Sequence, residues 1–291
     1  MRIPFATWDG AGNRFHFVES GHAPAACGPA LARALCSGNG APPADGLMIL
    51  DGSRARFWNR DGSPAAFCGN GARCLAARLL ALTGRPRVRI RIEEVEAEGW
   101  RVGEEIAVRV PEPNETARPD PSAFAPELGA WAPFVSTMAL IQAGVPHLCV
   151  LFGERAPACR ALAHRPESGR PAADLALVGA ALRTHPRFAP EGVNVDFIRA
   201  EEPGSIRPEA SEARACLETF ERGLEALSPA CGSGALAAAC LLLAGRALGR
   251  VGLTVASGSV LRVEKKGPVW ILQGPARPVA RGEFVWSRPE C

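Results

Sequence analysis

Apolar and polar positions alternate along the first third of the chain, and glycine turns interrupt the alternation. The period of two predicts short strands over residues 3–8, 15–18, 46–50, 55–58, 87–93 and 105–110. Two other segments have helical spacing instead. A run at 30–36 follows Pro29, and a longer run at 70–82 is closed by the sequence Gly84-Arg-Pro86. This part of the chain therefore mixes strands with two helices.

The second half has the same arrangement of elements. The pattern predicts strands over 134–139, 148–152, 193–199, 213–220, 251–256, 260–264, 269–272 and 282–286, and helices over 172–182 and 233–248. Residues 111–126 contain five prolines and little periodicity, so we interpret them as the linker between two halves. A length of 291 residues also favours two domains. The predicted class is α/β.

A short motif occurs once in each half. Cys68-Gly-Asn-Gly and Cys231-Gly-Ser-Gly stand 163 residues apart, and each precedes an alanine-rich amphipathic helix. The simpler explanation is two unrelated glycine-rich helix starts, but the shared cysteine argues against it. An internal repeat of this kind predicts two similar domains.

A cysteine at a helix N-terminus is chemically special. Unpaired backbone N–H groups and the positive end of the helix dipole bind anions there and lower the pKa of a thiol. Two such helices could hold one carboxylate, with a thiol on either side of the attached carbon. Inversion of an amino-acid α-carbon needs a base on one face and an acid on the other, and thiolate and thiol suit these roles.

Composition excludes several other classes. The net charge is only +3, which argues against a nucleic-acid binder. Tyrosine is absent, so no tyrosine can act as a base. The only lysines, Lys265 and Lys266, are adjacent in a predicted hairpin tip, where a pyridoxal phosphate Schiff base would be exposed. We expect a protein without a cofactor.

Cysteine usage points to a reducing compartment. The N-terminus has no signal-peptide pattern, and the longest apolar run, 235–244, is half the length that a bilayer needs. The expected location is cytoplasmic, with no membrane partner and with most of the ten cysteines as free thiols. Cys36, Cys149 and Cys240 are interpreted as packing residues. No CxxC pair occurs, so no metal site is expected.

Several longer motifs resemble the diaminopimelate epimerase family, whose members are cofactor-independent two-cysteine enzymes. Asp9-Gly-Ala-Gly-Asn13-Arg-Phe resembles HGLGNDF, and the segment from Asn59 to Cys74 resembles NxDGSxxxxCGNGxRC. Val145-Pro-His147 resembles NPH, and the segment 192–197 resembles GVNVEF. Glu221-Arg-Gly followed by Ala230-Cys231-Gly-Ser-Gly resembles ERGxGETxACGTG. The motifs extend over nearly the whole chain and occur in the family's order.

The resemblance implies roles for individual residues. Cys68 and Cys231 would be the acid/base pair, with His147 assisting Cys68 and Glu221 assisting Cys231. The residues implied at the reacting α-carboxylate and amine are Gly69, Asn70, Gly232 and Ser233, with Asn13 lining the same cleft. The distal amino-acid head would be held by Asn59, Asn194 and Arg222. Cys74, within the first motif, is expected to serve packing only.

The resemblance also implies an architecture. Two pseudo-symmetric domains would each wrap a mostly antiparallel sheet around a central helix, with the active site in the cleft between them. Residues 1–118 with 276–291 would form one domain and residues 119–275 the other. The implied substrate is LL-diaminopimelate, converted to the meso form for lysine and cell-wall precursors. The oligomeric state stays open, with a homodimer as the candidate.

Two departures keep alternatives open. Val145 replaces the asparagine of NPH, and residues 224–230 lack the family's Gly-Glu-Thr. The same mechanism could therefore act on another amino acid, such as histidine. A different class, a non-catalytic amino-acid-binding protein or a thiol-redox protein, is the remaining alternative; two cysteines at matching helix starts and the lack of CxxC argue against it.

Overall fold

The structure, a computed structural model, describes residues 1–65, 67–156, 172–202, 204–206, 212–245 and 249–287. The chain divides into two compact units. Unit 1 comprises Met1–Val110 and Gln273–Cys291, and unit 2 comprises Pro111–Leu272. The secondary structure confirms the α/β class. No helix in the described ranges is long and apolar enough to cross a membrane.

Unit 1 is built on a mixed sheet and two helices. Its strands are β1 (Arg2–Gly10), β2 (Asn13–Glu19), β3 (Gly46–Asp51), β4 (Arg54–Asn59), β5 (Arg87–Ile92), β6 (Val95–Val102) and β7 (Glu105–Val110). The helices are α1 (Gly28–Leu35) and α2 (Gly69–Thr83). The last strand of the chain, β17 (Arg277–Val285), pairs with β1. β6 was missed because its glycine and charged residues obscure the alternation.

Unit 2 contains the remaining elements. Its strands are β8 (Asn114–Ala117), β9 (Val135–Ala143), β10 (Val145–Phe152), β11 (Asn194–Ala200), β12 (Ala213–Glu221), β13 (Ala226–Leu227), β14 (Arg250–Val255) and β15 (Val260–Lys266). β16 (Val269–Gly274) runs across the boundary. The helices are α3 (Ala125–Leu128), α4 (Ala172–Arg183) and α5 (Gly232–Leu243). Short 3-10 turns at Ala25–Cys27, Pro121–Phe124, Gly129–Phe134 and Pro186–Phe188 complete the described elements.

Strand pairing follows the same order in both units. In unit 1, β17/β1 and β1/β2 are antiparallel, β2/β3 parallel, β3/β4 antiparallel, β4/β5 parallel and β5/β6 antiparallel. In unit 2, β8/β9 and β9/β10 are antiparallel, β10/β11 parallel, β11/β12 antiparallel, β12/β14 parallel and β14/β15 antiparallel. Helices α2 and α5 lie in the corresponding crossovers, β4-to-β5 and β12-to-β14. The repeat in the sequence is thus accompanied by a repeat in topology.

Each of these two helices is the central helix of its unit. Helix α2 packs against β1, β2, β5, β6 and β7, and α5 packs against β8, β9, β10, β11, β12, β14 and β15. Their glycines permit the close approach. A Cβ on Gly71 would come within 2.3 Å of the Met48 side chain, and one on Gly234 within 2.4 Å of Asp196 Oδ1. Further apolar clusters lie around Leu31 in unit 1 and Phe197 in unit 2.

Two predicted boundaries are wrong. The segment 111–126 is not only a linker, because β8 lies within it and pairs with β9 through Asn114 and Glu115. Sheet pairing overrides the weak local pattern there. The helix predicted to reach residue 248 ends at Leu243, because Ala244 is extended and Gly245 adopts a left-handed backbone. Residues 246–248 lie outside the described residues.

Candidate active site

Cys68 is the N-cap of helix α2. Its backbone is extended, and its Sγ accepts from the Gly71 N–H at 3.5 Å. The thiol is half-buried. Gly69 and Asn70 form the first turn and are buried. The sequence therefore places a thiol among the backbone N–H groups of a helix start, as the motif predicts.

Asn13 and Asn70 are brought together across unit 1. Asn70 Nδ2 donates to Asn13 Oδ1 at 2.8 Å, and Asn13 Nδ2 donates to Asp45 Oδ2 at 3.0 Å. On its other side, Asn70 Oδ1 accepts from Arg73 Nη2 at 2.9 Å. This chain of bonds fixes the Asn70 amide beside Cys68.

Arg73 is a site residue that the sequence analysis missed. Its side chain is fully buried on α2, and its Nη1 also points at the Gly69 carbonyl at 3.5 Å. Burial lowers the pKa of the guanidinium, while the neighbouring Cys74 and Cys68 favour its charged form. A charged residue on the buried face of a helix was the available signal, since such a charge needs partners.

Asn59 forms its described side-chain hydrogen bond within the turn that follows it. It is exposed at the end of β4, and its Nδ2 donates to Ser63 Oγ at 3.0 Å within the following turn. Asp61 also accepts from Ser63 in that turn, which lowers the pKa of its carboxyl. The described bonds of Asn59 are thus those of a turn residue, and its substrate role stays a prediction.

Cys231 is the N-cap of helix α5, in the same position as Cys68 on α2. Its Sγ accepts from the Gly234 N–H at 3.3 Å and lies 3.3 Å from Ser233 Oγ. The thiol is buried, and the Glu221 carboxyl lies close enough to shift its pKa. Glu221 thus lies near Cys231 within unit 2, and its assistance to that thiol stays a prediction.

The electrostatics around Cys231 favour its protonated form. Burial raises the pKa of the thiol well above its ordinary value, and the negative charges of Glu221 and Asp196 raise it further. Burial also raises the pKa of Glu221, whereas the nearby Ser228 hydroxyl and Cys231 thiol oppose that shift. Such a thiol is protonated at the start, as a proton donor must be, but its raised pKa makes it a weak acid.

His147 is fully buried on β10, and both of its ring nitrogens have partners in unit 2. Nδ1 lies 2.7 Å from Asp196 Oδ2, and Nε2 lies 3.3 Å from Asn194 Nδ2. Asn194 Oδ1 in turn accepts from the backbone N–H of Arg222 at 2.8 Å. The parallel pairing of β10 with β11 places His147 opposite Asn194. The predicted assistance of His147 to Cys68 stays a prediction.

Asp196 and Thr219 were also missed. Both are buried, and Thr219 Oγ1 donates to Asp196 Oδ1 at 2.7 Å. Asp196 lies in the segment that resembles GVNVEF, so a carboxylate within a buried strand was the available signal. The side chain of Arg222 is half-buried, with Nη1 3.5 Å from the Glu191 carbonyl.

Four further cysteines were expected to be packing residues: Cys36, Cys74, Cys149 and Cys240. Cys36, Cys74 and Cys149 are completely buried, which confirms the packing interpretation for them, and burial raises the pKa of each. Cys240 is only half-buried, 3.9 Å from the Pro113 carbonyl. Within the described part of the chain, no group of three or more His, Cys, Asp or Glu is arranged to hold a metal ion.

Several known proteins are similar to this chain in sequence or in fold. The diaminopimelate epimerase of Xylella fastidiosa (strain M23) is 36% identical over 79% of this chain and 75% of its own length. That of Desulforudis audaxviator is 31% identical over 97% and 99%. The phenazine biosynthesis PhzF-family protein of Enterococcus faecalis, 15% identical, has the same fold with a TM-score of 0.66, covering 98% of this chain and 100% of its own. No family model matches.

These similarities first define a class: the protein is an isomerase, one of the epimerases and racemases that act without pyridoxal phosphate. Within that class, the chain belongs to the diaminopimelate epimerase family.

Proposed function

We propose that the protein inverts the α-carbon of an amino acid with Cys68 and Cys231 as its acid/base pair, and that LL-diaminopimelate is the substrate. The observation that carries the proposal is the repeated N-cap. Each cysteine begins the central helix of its unit, with its Sγ held by the N–H three residues later. The two helices occupy corresponding crossovers in matching strand orders.

The chemistry needs one thiolate and one thiol. In the first half of the reaction, the Cys68 thiolate removes the α-proton as the C–H electron pair passes into the carboxylate-stabilised carbanion. In the second half, the Cys231 thiol donates its proton to the opposite face, which leaves Cys68 as thiol and Cys231 as thiolate. The buried carboxyls beside Cys231 support its role as the donor in this direction. The reverse reaction restores the starting protonation states.

Charge that develops on the substrate carboxylate needs hydrogen-bond donors. We assign this role to the first turns of α2 and α5, which contain Gly69, Asn70, Gly232 and Ser233. Backbone N–H groups at a helix start are fixed before the reaction and lie at the positive end of the helix dipole. Asn70, held by Asn13 and Arg73, would orient the reacting end.

The choice of substrate follows from the relatives and from Arg222. The proteins that are 31–36% identical are diaminopimelate epimerases. A half-buried guanidinium such as Arg222 suits the second carboxylate of diaminopimelate, with Asn194 and Asn59 beside the distal amine. In this reading the reaction serves lysine and cell-wall precursor synthesis, and residues 1–118 with 276–291 and residues 119–275 are its two domains.

One specific observation supports a second candidate, which is inversion of a different amino acid such as histidine. Val145 replaces a polar residue of the family's motif, and Asn194 is engaged by His147 and the Arg222 backbone. Fewer polar groups are then left for a second amino-acid head.

The test is proton exchange. The reduced protein is incubated with separate amino acids, including LL-diaminopimelate and L-histidine, in deuterated water, and loss of the α-proton signal is followed by NMR. Exchange with diaminopimelate supports the main proposal, and exchange with other amino acids alone supports the second candidate. Binding without exchange of any of them would indicate a binding protein and contradict both.

A further inference from the structure

A directed chain of hydrogen bonds runs through the buried side of unit 2. It begins at the backbone N–H of Arg222, which can only donate, and which meets Asn194 Oδ1 at 2.8 Å. This contact fixes the orientation of the Asn194 amide, so that its Nδ2 is the atom facing His147. Because an amide nitrogen only donates, His147 Nε2 must accept at 3.3 Å.

The other ring nitrogen of His147 must then carry the proton. A neutral imidazole has one donor and one acceptor nitrogen. With Nε2 accepting from Asn194, Nδ1–H donates to Asp196 Oδ2 at 2.7 Å. The carboxylate is held from its other oxygen by the Thr219 hydroxyl at 2.7 Å. Each bond in the chain therefore has a single direction.

Asp196 also contacts the helix that begins at Cys231. A Cβ added to Gly234 would come within 2.4 Å of Asp196 Oδ1. The carboxylate therefore packs directly on the first turn of α5. The same glycine donates its N–H to Cys231 Sγ at 3.3 Å. One buried carboxylate thus lies between His147 and the helix start that presents the thiol.

We infer that Asp196 is a positioning residue, which acts together with Asn194 to hold His147 as the Nδ1–H tautomer and so aligns Asn194 and Arg222 relative to the Cys231 helix start. The inference rests on the proposed function for its catalytic meaning. The tautomer itself does not, because it can be measured in the absence of any substrate.

Unit 1 provides an internal reference. His16 is fully buried as well, but its Nε2 lies 3.0 Å from the Pro42 carbonyl, which only accepts, and its Nδ1 lies 2.9 Å from Thr7 Oγ1. His16 must therefore be the Nε2–H tautomer. The two buried histidines are predicted to have opposite tautomers in one molecule.

The experiment is long-range ¹H–¹⁵N correlation NMR on the full chain labelled with ¹⁵N-histidine, at neutral pH. The His147 signals are assigned by their loss in His147→Asn. We expect the Nδ1–H pattern for His147 and the Nε2–H pattern for His16. In Asp196→Asn, Nδ1–H loses its charged acceptor while Asn194 still donates to Nε2, so the Nδ1–H population of His147 should decrease, with His16 unchanged. Asp196→Glu, the residue of the resembling motif, should keep the Nδ1–H pattern.

Activity is then read in the same variants. Asp196→Asn should lower kcat/KM for α-proton exchange about 10- to 100-fold, as loss of a partner that orients a histidine does at metal sites, and Asp196→Glu should recover most of this activity.

If Asp196→Asn does not fold, Thr219→Val removes one hydroxyl and should weaken the Nδ1–H preference. An Nε2–H pattern for His147 in the unsubstituted protein, or a pattern unchanged in both variants, overturns the inference. Absence of exchange in the unsubstituted protein would instead overturn the proposed function.

Discussion

The guanidinium of Arg73 donates through Nη2 to Asn70 Oδ1 at 2.9 Å, and both side chains are completely buried. Asn70 is thereby held between a cation on its own helix and Asn13 on β2. A full positive charge is rarely buried, because its desolvation costs several kcal/mol unless partners compensate. The bond therefore connects the stability of α2 with the orientation of the residue after Cys68-Gly69.

Replacement of Arg73 tests that connection. Arg73→Met leaves the Asn70 carbonyl without its donor, so the free energy of unfolding should fall by about 1–3 kcal/mol. Because the Asn70 amide would no longer be held in one orientation, kcat/KM for α-proton exchange should also fall by about tenfold. Urea unfolding and NMR exchange measure the two effects. Arg85→Met, an exposed change just beyond the same helix, is the control, and equal effects in both variants would contradict the role of Arg73.

Cys68 and Cys231 should each be indispensable for inversion of configuration. Cys68→Ala and Cys231→Ala each remove one of the two groups that act on opposite faces, so each should abolish inversion of configuration. Chiral chromatography of the product measures it. Cys74→Ala and Cys240→Ala change thiols on the same two helices and should retain inversion. Full inversion by either of the first two variants would disprove the two-base scheme.

Glu221 should make stability depend on pH in a defined direction. Burial raises its pKa, so the folded protein binds its proton more tightly than the unfolded chain does. Stability is then lost as the pH rises from the ordinary glutamate range through the raised value. Urea unfolding between pH 4 and 8 should show this loss in the unsubstituted protein and a flatter profile in Glu221→Gln. Glu104→Gln, an exposed control, should keep the original profile; a loss of equal slope in Glu221→Gln would refute the assignment.

His16 should make stability depend on pH in the opposite direction to Glu221. Burial lowers its pKa to about 4, so between pH 6.5 and 4 the unfolded chain binds a proton that the folded protein excludes. Stability should fall by about 3 kcal/mol as the pH drops through that window. In His16→Asn this portion of the acid sensitivity should disappear from the unfolding curves, whereas the exposed change His22→Asn should leave it in place. Acid sensitivity that persists in His16→Asn would count against the shift.

Position 145 should tune the substrate. If the substrate is diaminopimelate, Val145→Asn restores a polar contact of about 1 kcal/mol and should raise kcat/KM for it about fivefold. The same change at Val135, on neighbouring β9, is the control. A decrease with diaminopimelate and no change with other amino acids would indicate that position 145 does not face a distal head.

The sequence by itself determined a large part of the fold and of the candidate site. Helix α2 could be located to within a residue from its spacing and its closing glycine, because these signals are local. The two capping cysteines were visible for the same reason, since an N-cap depends on the few residues that follow it. The motif around Glu221 likewise led to its association with Cys231.

Only the tertiary structure decided the rest. β8 forms within a proline-rich segment because β9 offers it a partner, and α5 stops at Leu243 because the backbone turns at Gly245. Arg73 and Asp196 look like ordinary charged residues until folding buries them and supplies Asn70 and His147 as partners. His147 and Asp196 lie 49 residues apart, so no local pattern contains their pairing, whereas Arg73 is distinguished by its burial and not by the distance to its partner. The sequence thus determined where the two capping thiols lie, and the fold decided which buried groups surround them.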